Sequence, residues 1–312
     1  MKTNFLTLSL ILILSSVIFK GFGQTQNPIW VIPNNQIKFS PSPLVSPISS
    51  PWTFAEYSYN AMPDASGNIL FYCIDGYIYD GAGNLIDIFI EPSGGFVLGL
   101  PELCIVPVPE SCTQYYIIGA APTSGPPGTA PTPFYVTLDM SLPNTSTGGT
   151  TFGALLNSPA TKIDPAGINY SQHGNAMHLA VSKIRQHKGD RVLFISDNSQ
   201  LFRFAITSTG INQLIGVDPL LHGYNSSPYR SELELYEETN GNYLLASIEK
   251  NIAGGHPVLV LYELDPDGIL LNSSFVSLPL GGQYHGVEFS PNGQFVYLTA
   301  TVSPYVFESS GS

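Results

Sequence analysis

A unit of strand, tight turn and strand recurs along this chain and limits the folds that are open to it. The clearest copy is Gln283–Thr301, in which Ser290–Gly293 supplies turn residues and Phe295–Leu298 is a short run of β-formers. The strands that follow these turns begin near Ile69, Gln114, Arg191, Tyr243 and Phe295. Three of the four intervals are 45–52 residues, close to the period of a four-stranded propeller blade.

We therefore predict an all-β protein, a β-propeller of four-stranded blades with about five blades present and the ring incomplete. The 30 Gly and 26 Pro among 312 residues agree with many short strands and turns. A β-sandwich or tandem β domains would also have short alternating strands, but they would not repeat one unit at this spacing. No segment has the sustained 3.6-residue period of a helical domain.

Two stretches depart from the repeat. The second interval is the long one: 77 residues separate Gln114 from Arg191. This length requires a longer outer hairpin or an inserted loop, and we expect the insertion at Thr150–Gln172. Near the start, Pro28–Phe39 predicts a strand, an Asn-Asn turn and the start of a second strand. Ser40–Pro51 is rich in Ser and Pro, which predicts a loop or an extended connector.

The N-terminus has the pattern of a secretory signal peptide over residues 1–23. Lys2 gives a positive start, Phe5–Phe19 is apolar, and Gly21-Phe22-Gly23 places small residues at the −3 and −1 positions of a cleavage site. The apolar run is shorter than the ~20 residues that a membrane span needs. We expect a single propeller domain over residues 24–312, secreted or on the cell surface, with no membrane span after cleavage.

The charge balance argues against nucleic acid as a partner. The net charge is −12 with only 11 Lys and Arg, whereas phosphate binding requires a basic face. The 23 acidic residues are scattered, which is typical of a soluble surface, although an acidic cation-binding surface is the alternative.

The three cysteines are Cys73, Cys104 and Cys112, so at least one is unpaired in a monomer. Cys104 and Cys112 flank a Pro-rich turn and could form a disulfide across a hairpin in an oxidising compartment. Cys73 lies within an apolar strand, where we expect a small buried residue.

The repeats resemble the N-terminal propeller region of large secreted repeat proteins of Bacteroidetes, the type with PKD-like and gliding-motility-associated modules. The resemblance covers most of residues 28–312 and includes the stretches DASGNILFYCIDGYIYD, RVLFISDNSQLFRFAITSTGI and YHGVEFSPNGQFVYLTA. The last of these is also similar to WD40-like and YVTN-type propeller repeats. The resemblance implies fold more than activity.

The resemblance also implies further modules and a complete ring. No PKD-like module or sorting domain follows in the 312 residues, and the last repeat stops one hairpin into its blade. We therefore expect a fragment or truncated product with a sheet edge exposed at its C-terminal blade.

Candidate binding residues come from the inner ends of the repeats. In propeller enzymes such as lactonases, carboxylates and His at these positions surround a divalent cation, and oxygen-rich ligands would suit Ca²⁺. His285 and Glu288 are the first candidates here. The same position holds for His173, Arg230, Glu232 and Glu102.

The His173–His178 stretch also suggests a metal site at first sight. Side chains five apart on a strand lie on opposite faces, so only a turn between the two rings would bring them together. The alternative is a loop His173 and a packed strand His178.

No GxSxG elbow, P-loop or dinucleotide fingerprint is present in the sequence. The main hypothesis is a secreted, non-enzymatic propeller that binds a protein or glycan within an adhesin-like protein. The alternatives are a metal-dependent, lactonase-like hydrolase with its site at the central channel, and a structural spacer between other modules.

Overall fold

Antiparallel β-sheets make up the fold in the computed structural model of the chain. The structure describes residues 29–32, 35–38, 44–48, 55, 58–99, 103–121, 132–164, 170, 177–197, 200–221, 233–250, 257–279, 284–290, 292–300 and 305–308. Over these residues it contains 23 strands and one short 3-10 turn, Thr145–Thr147. No helix in this part of the chain is long and apolar enough to span a bilayer.

The strands form six sheets in chain order. The N-terminal sheet consists of β1 (Ile29–Ile32), β2 (Asn35–Lys38) and β3 (Leu44–Pro47). Blade 1 consists of β4 (Tyr59–Pro63), β5 (Ile69–Ile74), β6 (Tyr77–Asp80) and β7 (Leu85–Ile88). Blade 2 consists of β8 (Leu103–Pro107), β9 (Gln114–Ala121), β10 (Thr132–Pro143), β11 (Phe152–Leu155) and β12 (Thr161–Lys162).

The remaining sheets repeat the same order. Blade 3 consists of β13 (Met177–Val181), β14 (Arg191–Asp197), β15 (Gln200–Thr207) and β16 (Gly210–Pro219). Blade 4 consists of β17 (Leu233–Glu237), β18 (Tyr243–Lys250), β19 (Pro257–Leu264) and β20 (Leu270–Ser277). The C-terminal sheet consists of β21 (Tyr284–Phe289), β22 (Phe295–Ala300) and β23 (Tyr305–Glu308).

The first strand of each sheet contacts the first strand of the next, in the succession β1, β4, β8, β13, β17 and β21. These are the innermost strands of blades set side by side around a common axis. The predicted all-β propeller with four-stranded blades is confirmed. The N-terminal sheet adds a sixth sheet to the five that the repeats predicted.

Two local predictions need correction. The predicted connector Ser40–Pro51 contains β3, because Leu44 and Val45 are β-formers and the outer position of β3 tolerates proline. The predicted insertion Thr150–Gln172 contains β11 and β12, which both pair with β10. β10 is 12 residues long, so its two halves accommodate two short partners.

Three of the blade turns share one five-residue design. The carboxylates of Asp64, Asp80 and Asp265 stand at the first position, and each accepts two backbone N–H groups of its turn at 2.8–3.0 Å. The fourth position is a glycine with positive φ, as at Gly268 (φ 78°). Aspartate side chains favour this type of turn because they substitute for a backbone acceptor, and glycine accepts the left-handed conformation.

The core lies between the blades. Apolar clusters join blade 1 to blade 2, blade 2 to blade 3, blade 3 to blade 4, and blade 4 to the C-terminal sheet. Polar contacts accompany them: Asn60 Nδ2 donates to Leu103 O at 2.8 Å, and Tyr116 Oη donates to Thr207 O at 2.9 Å. Face-to-face packing therefore holds neighbouring blades together.

Candidate functional site

The predicted site residues fall into two groups. His285 and Glu288 both lie on β21, the innermost strand of the C-terminal sheet. Four others lie outside the described residues: His173, Arg230, Glu232 and Glu102. The structure therefore places β21 at the inner edge of the C-terminal sheet, as the sequence predicted. Of the six candidates, only the two on this strand lie among the described residues.

Glu288 lies on the face of the C-terminal sheet that is turned away from blade 4. Its neighbours Val287 and Phe289 are buried in the cluster shared with blade 4, and side chains alternate along a strand. Glu288 pairs with Tyr297 of β22, and both residues are exposed. Nearby protein nevertheless desolvates the carboxylate and raises the pKa of Glu288 above its ordinary value.

The sequence did not identify Glu234, which lies on the neighbouring inner strand β17. It is half-buried, and it shares its strand face with Tyr236, whose ring lies 5.7 Å from that of Phe289. Glu234 therefore faces the C-terminal sheet, whereas Glu288 points away from blade 4. The structure does not bring these two carboxylates to one face, although their strands are neighbours.

His178 is fully buried on β13, opposite Ser196 of β14. Burial lowers the pKa of His178 from 6.5 to about 3, so the ring is neutral over the physiological range. This agrees with the packed strand His that stood as the alternative to a metal site at His173–His178.

Three buried acids occupy one level of the blades, and sequence reasoning missed them. Asp75, Asp197 and Glu249 each lie six residues after a repeat start, and all three are buried. Asp75 Oδ1 accepts from Ser58 N at 3.0 Å, just before β4 begins. This equal spacing in the repeats is the signal that could have identified them.

Glu249 shows what such an acid does in blade 4. Its Oε1 accepts from Tyr262 Oη at 2.5 Å. That hydroxyl oxygen in turn accepts from Leu221 N at 2.9 Å, just after blade 3 ends. In blades 1 and 4, these carboxylates thus anchor the connections between sheets.

A charged cluster joins blade 3 to blade 4. It lies at the ends of the strands opposite to those near Asp197 and Glu249. The buried Arg185 binds Asp190 through Nε and Nη2 at 2.7 and 2.5 Å, and Asp267 through Nη1 at 2.9 Å. Lys188 Nζ also donates to Asp267 at 2.5 Å. Hydrogen bonding from Lys188 is the main cause that lowers the pKa of Asp267.

The described residues contain no group of three or more His, Cys, Asp or Glu that is placed to hold a metal ion. The carboxylates of Asp75 and of the turn aspartates instead accept from backbone N–H groups, Glu249 accepts from Tyr262, and Asp267 binds cations of the chain.

Cys104 and Cys112, which could form a disulfide according to the sequence, are not bonded to each other in the structure. The β8–β9 register places Cys104 opposite Ile118, whereas Cys112 is exposed in the turn that precedes β9. Cys104 Sγ lies 3.9 Å from Leu179 O of blade 3. Cys73 is buried, as predicted.

No protein-family model matches the chain, and no curated protein matches it either. Solved structures with similarity include a gluconolactonase from Xanthomonas campestris, with 14% identity, TM-score 0.41, and coverage of 90% of this chain and 81% of the other. An endo-arabinase from Bacteroides thetaiotaomicron has 11% identity, TM-score 0.47, and coverage of 81% and 94%.

The C-terminal WD40 domain of Sif2 has 12% identity, TM-score 0.40, and coverage of 91% of this chain and 79% of the other. At these identities and TM-scores, the similarity assigns no activity to the chain. The blade arrangement therefore rests on the sheets and strand contacts of the chain itself.

Proposed function

We propose that this protein is a secreted or cell-surface β-propeller that binds a protein or glycan partner and catalyses no reaction. The observation that supports this most is the use of its acidic side chains. Asp64, Asp80 and Asp265 stabilise turns, while Glu249 and Asp267 connect neighbouring blades. Carboxylates used in this way build a rigid scaffold, and rigid scaffolds typically present binding loops.

Binding would be tested with the purified chain, labelled with a fluorophore, on a glycan array and against immobilised extracellular proteins. Every hit would be measured again in solution by titration calorimetry with the isolated ligand. Saturable binding to one glycan or protein class is expected. Failure to bind any ligand at the highest soluble concentration would contradict the proposal.

Extracytoplasmic location is part of the same proposal and rests on the N-terminal pattern. Expression with the native N-terminus in a bacterial host should yield a product that begins at Gln24. Mass spectrometry of the periplasmic and extracellular fractions measures this. A product that keeps residues 1–23 and stays in the cytoplasm would contradict it.

One observation favours the hydrolase alternative. Glu288 has a raised pKa on an inner strand, and perturbed carboxyl groups are common among general acids and bases. Lactone hydrolysis would be assayed with Ca²⁺ or Zn²⁺ for the wild type, for Glu288→Gln, and for Glu263→Gln as an exposed control on β19. The alternative requires activity that Glu288→Gln alone abolishes, and a wild type without activity or bound metal would exclude it.

A further inference from the structure

Arg191, the first residue of β14, is a buried cation that has no carboxylate partner among the described residues. Only 3% of the residue is exposed. Its Nη1 donates to Ser182 O at 3.1 Å, whereas its Nε is enclosed and has no acceptor in the described part of the chain. No carboxylate oxygen of these residues lies within 4.0 Å of the guanidinium. The described residues therefore supply no anion to the Nε side of Arg191.

The other lysines and arginines whose side chains the structure describes each bind a carboxylate. Arg185 and Arg203 are the best comparison, because both are also buried residues of blade 3. Nε of Arg185 donates to Asp190 at 2.7 Å, and Nε of Arg203 donates to Asp218 at 2.8 Å. The remaining pairs are Lys162–Asp164, Lys183–Glu237 and Lys188–Asp267. Arg191 thus departs from the rule that every other described cation of this acidic chain follows.

The titratable groups near Arg191 do not balance its charge. Tyr243 interacts electrostatically with Arg191, but burial raises the pKa of Tyr243 above its ordinary value, so its hydroxyl is neutral at physiological pH. Asp190 precedes Arg191 in the chain and is bound by Arg185. Burial lowers the pKa of Arg191, but a guanidinium starts far above the physiological range and stays charged. A buried charge without a counter-ion is strongly destabilising, so an anion from solution would stabilise the fold here.

We infer that Arg191 binds a small inorganic anion, chloride or an oxyanion such as sulfate, on the Nε side of its guanidinium. Nε and Nη2 form the fork that holds the Asp190 carboxylate in Arg185, and this fork matches the oxygens of an oxyanion. In Arg191, Nη2 also has no acceptor among the described residues, but unlike Nε it is not enclosed. An ion from solution can therefore reach this side of the guanidinium.

Urea unfolding of the full chain tests the site at constant ionic strength. Sodium gluconate is replaced stepwise by sodium chloride in one series and by sodium sulfate in another, because gluconate is much larger than either anion. A ligand that binds only the folded chain stabilises it, so the wild-type midpoint should rise in at least one series. Sulfate also stabilises proteins in general, and the response must therefore be compared between variants.

Two substitutions that remove the same charge provide this comparison. Arg191→Met keeps a long apolar side chain in place of the guanidinium, whereas Lys183→Met removes an exposed cation of the turn before β14. Lys183→Met should keep the wild-type response to the anion, and Arg191→Met should show only the general salt effect. The same curves show whether each variant is folded. Equal responses of the two variants in both series would overturn the inference.

The linewidth of the chloride NMR signal measures binding without unfolding. Exchange with a protein-bound site broadens this signal, so the folded wild type should broaden it more than Arg191→Met does. Added sulfate that reverses the difference would assign the site to oxyanions as well as chloride, whereas a difference that persists would assign it to chloride; both results support the inference. Equal broadening by wild type and Arg191→Met, together with equal stabilisation of the two by sulfate, would overturn it.

Discussion

Burial sets the protonation state of His178. The residue follows a polar stretch and could have belonged to a metal site. Its place inside the β13–β14 pair instead makes the charged form unfavourable, with a pKa of about 3. This single residue should contribute a measurable pH dependence to stability.

The sign follows from the two pKa values. Between pH 6.5 and about 3, the unfolded chain binds a proton at His178 and the folded chain does not. Stability should thus fall as the pH decreases through this window, by about 1.4 kcal/mol per pH unit from this group. His178→Gln removes the contribution, so urea unfolding at pH 7, 6 and 5 should show a smaller loss for the variant. Parallel curves for the two proteins would contradict the assignment.

The cysteines should differ in reactivity according to burial. Burial raises the pKa of Cys73 to about 12, whereas Cys112 is exposed. Because the thiolate is the reactive form, maleimide should modify Cys112 in the folded protein and Cys73 only after unfolding. Cys112→Ser should remove the fast phase.

The same reagent tests the absence of a disulfide. Without reductant, the unfolded chain should present all three thiols. A single reactive thiol would instead indicate that Cys104 and Cys112 are bonded to each other.

At the level of elements, the turns were predictable and their packing was not. Short motifs that end in glycine, such as Ser290–Gly293, identified the turns. Aspartate and asparagine side chains hydrogen-bond to the nearby backbone, and glycine adopts the positive φ that these turns require. Which residue of the neighbouring blade packs against a turn depends instead on contacts between residues that are far apart in the sequence. At Gly293, an added Cβ would lie 2.2 Å from the Tyr236 ring of blade 4.

Two glycine substitutions separate these contributions. Gly67 (φ 74°) and Gly293 (φ 68°) share a left-handed conformation, but a Cβ at Gly67 would meet nothing within 4 Å. Gly67→Ala should therefore cost only the conformational term, about 1 kcal/mol. Gly293→Ala should cost a further ~1–3 kcal/mol through overpacking against Tyr236. Urea unfolding measures both, and equal losses would show that the two sheets do not pack as described.

The whole molecule depends on contacts between successive blades, and the Arg185–Asp267 pair is a polar example. Asp267→Ala leaves the buried Nη1 of Arg185 without this carboxylate, while Asp190 still binds the other side of the guanidinium. Because Asp267 is partly exposed, the loss should be about 1 kcal/mol. Asp164→Ala, which removes only the local pair with Lys162, should change stability much less.

This contribution should also depend on pH. The pKa of Asp267 is lowered in the folded state, so its stabilisation is complete above the unfolded value of about 3.9. It is lost as the pH falls through the still lower folded value. The stability difference between wild type and Asp267→Ala should be constant above about pH 5 and vanish in strong acid. A difference that changes between pH 6 and 8 would indicate another cause.

The sequence by itself determined the class of fold, because strand alternation and turn residues are local properties that recur at blade spacing. It identified the five repeats and the inner position of β21. It also favoured a packed His178, although it left a metal site open as the alternative. The sequence did not predict three short strands, namely β3 in the N-terminal sheet and β11 and β12 in blade 2, because short edge strands show little periodicity.

Only the tertiary structure decided which side chains meet. It showed that Asp75 and Glu249 anchor connections between sheets, and that Glu234 and Glu288 lie on different faces. It also separated Cys104 from Cys112 by the register of a single hairpin. Such relationships depend on register and on the packing of blades distant in sequence, and a shift of one residue moves every side chain of a strand to the other face.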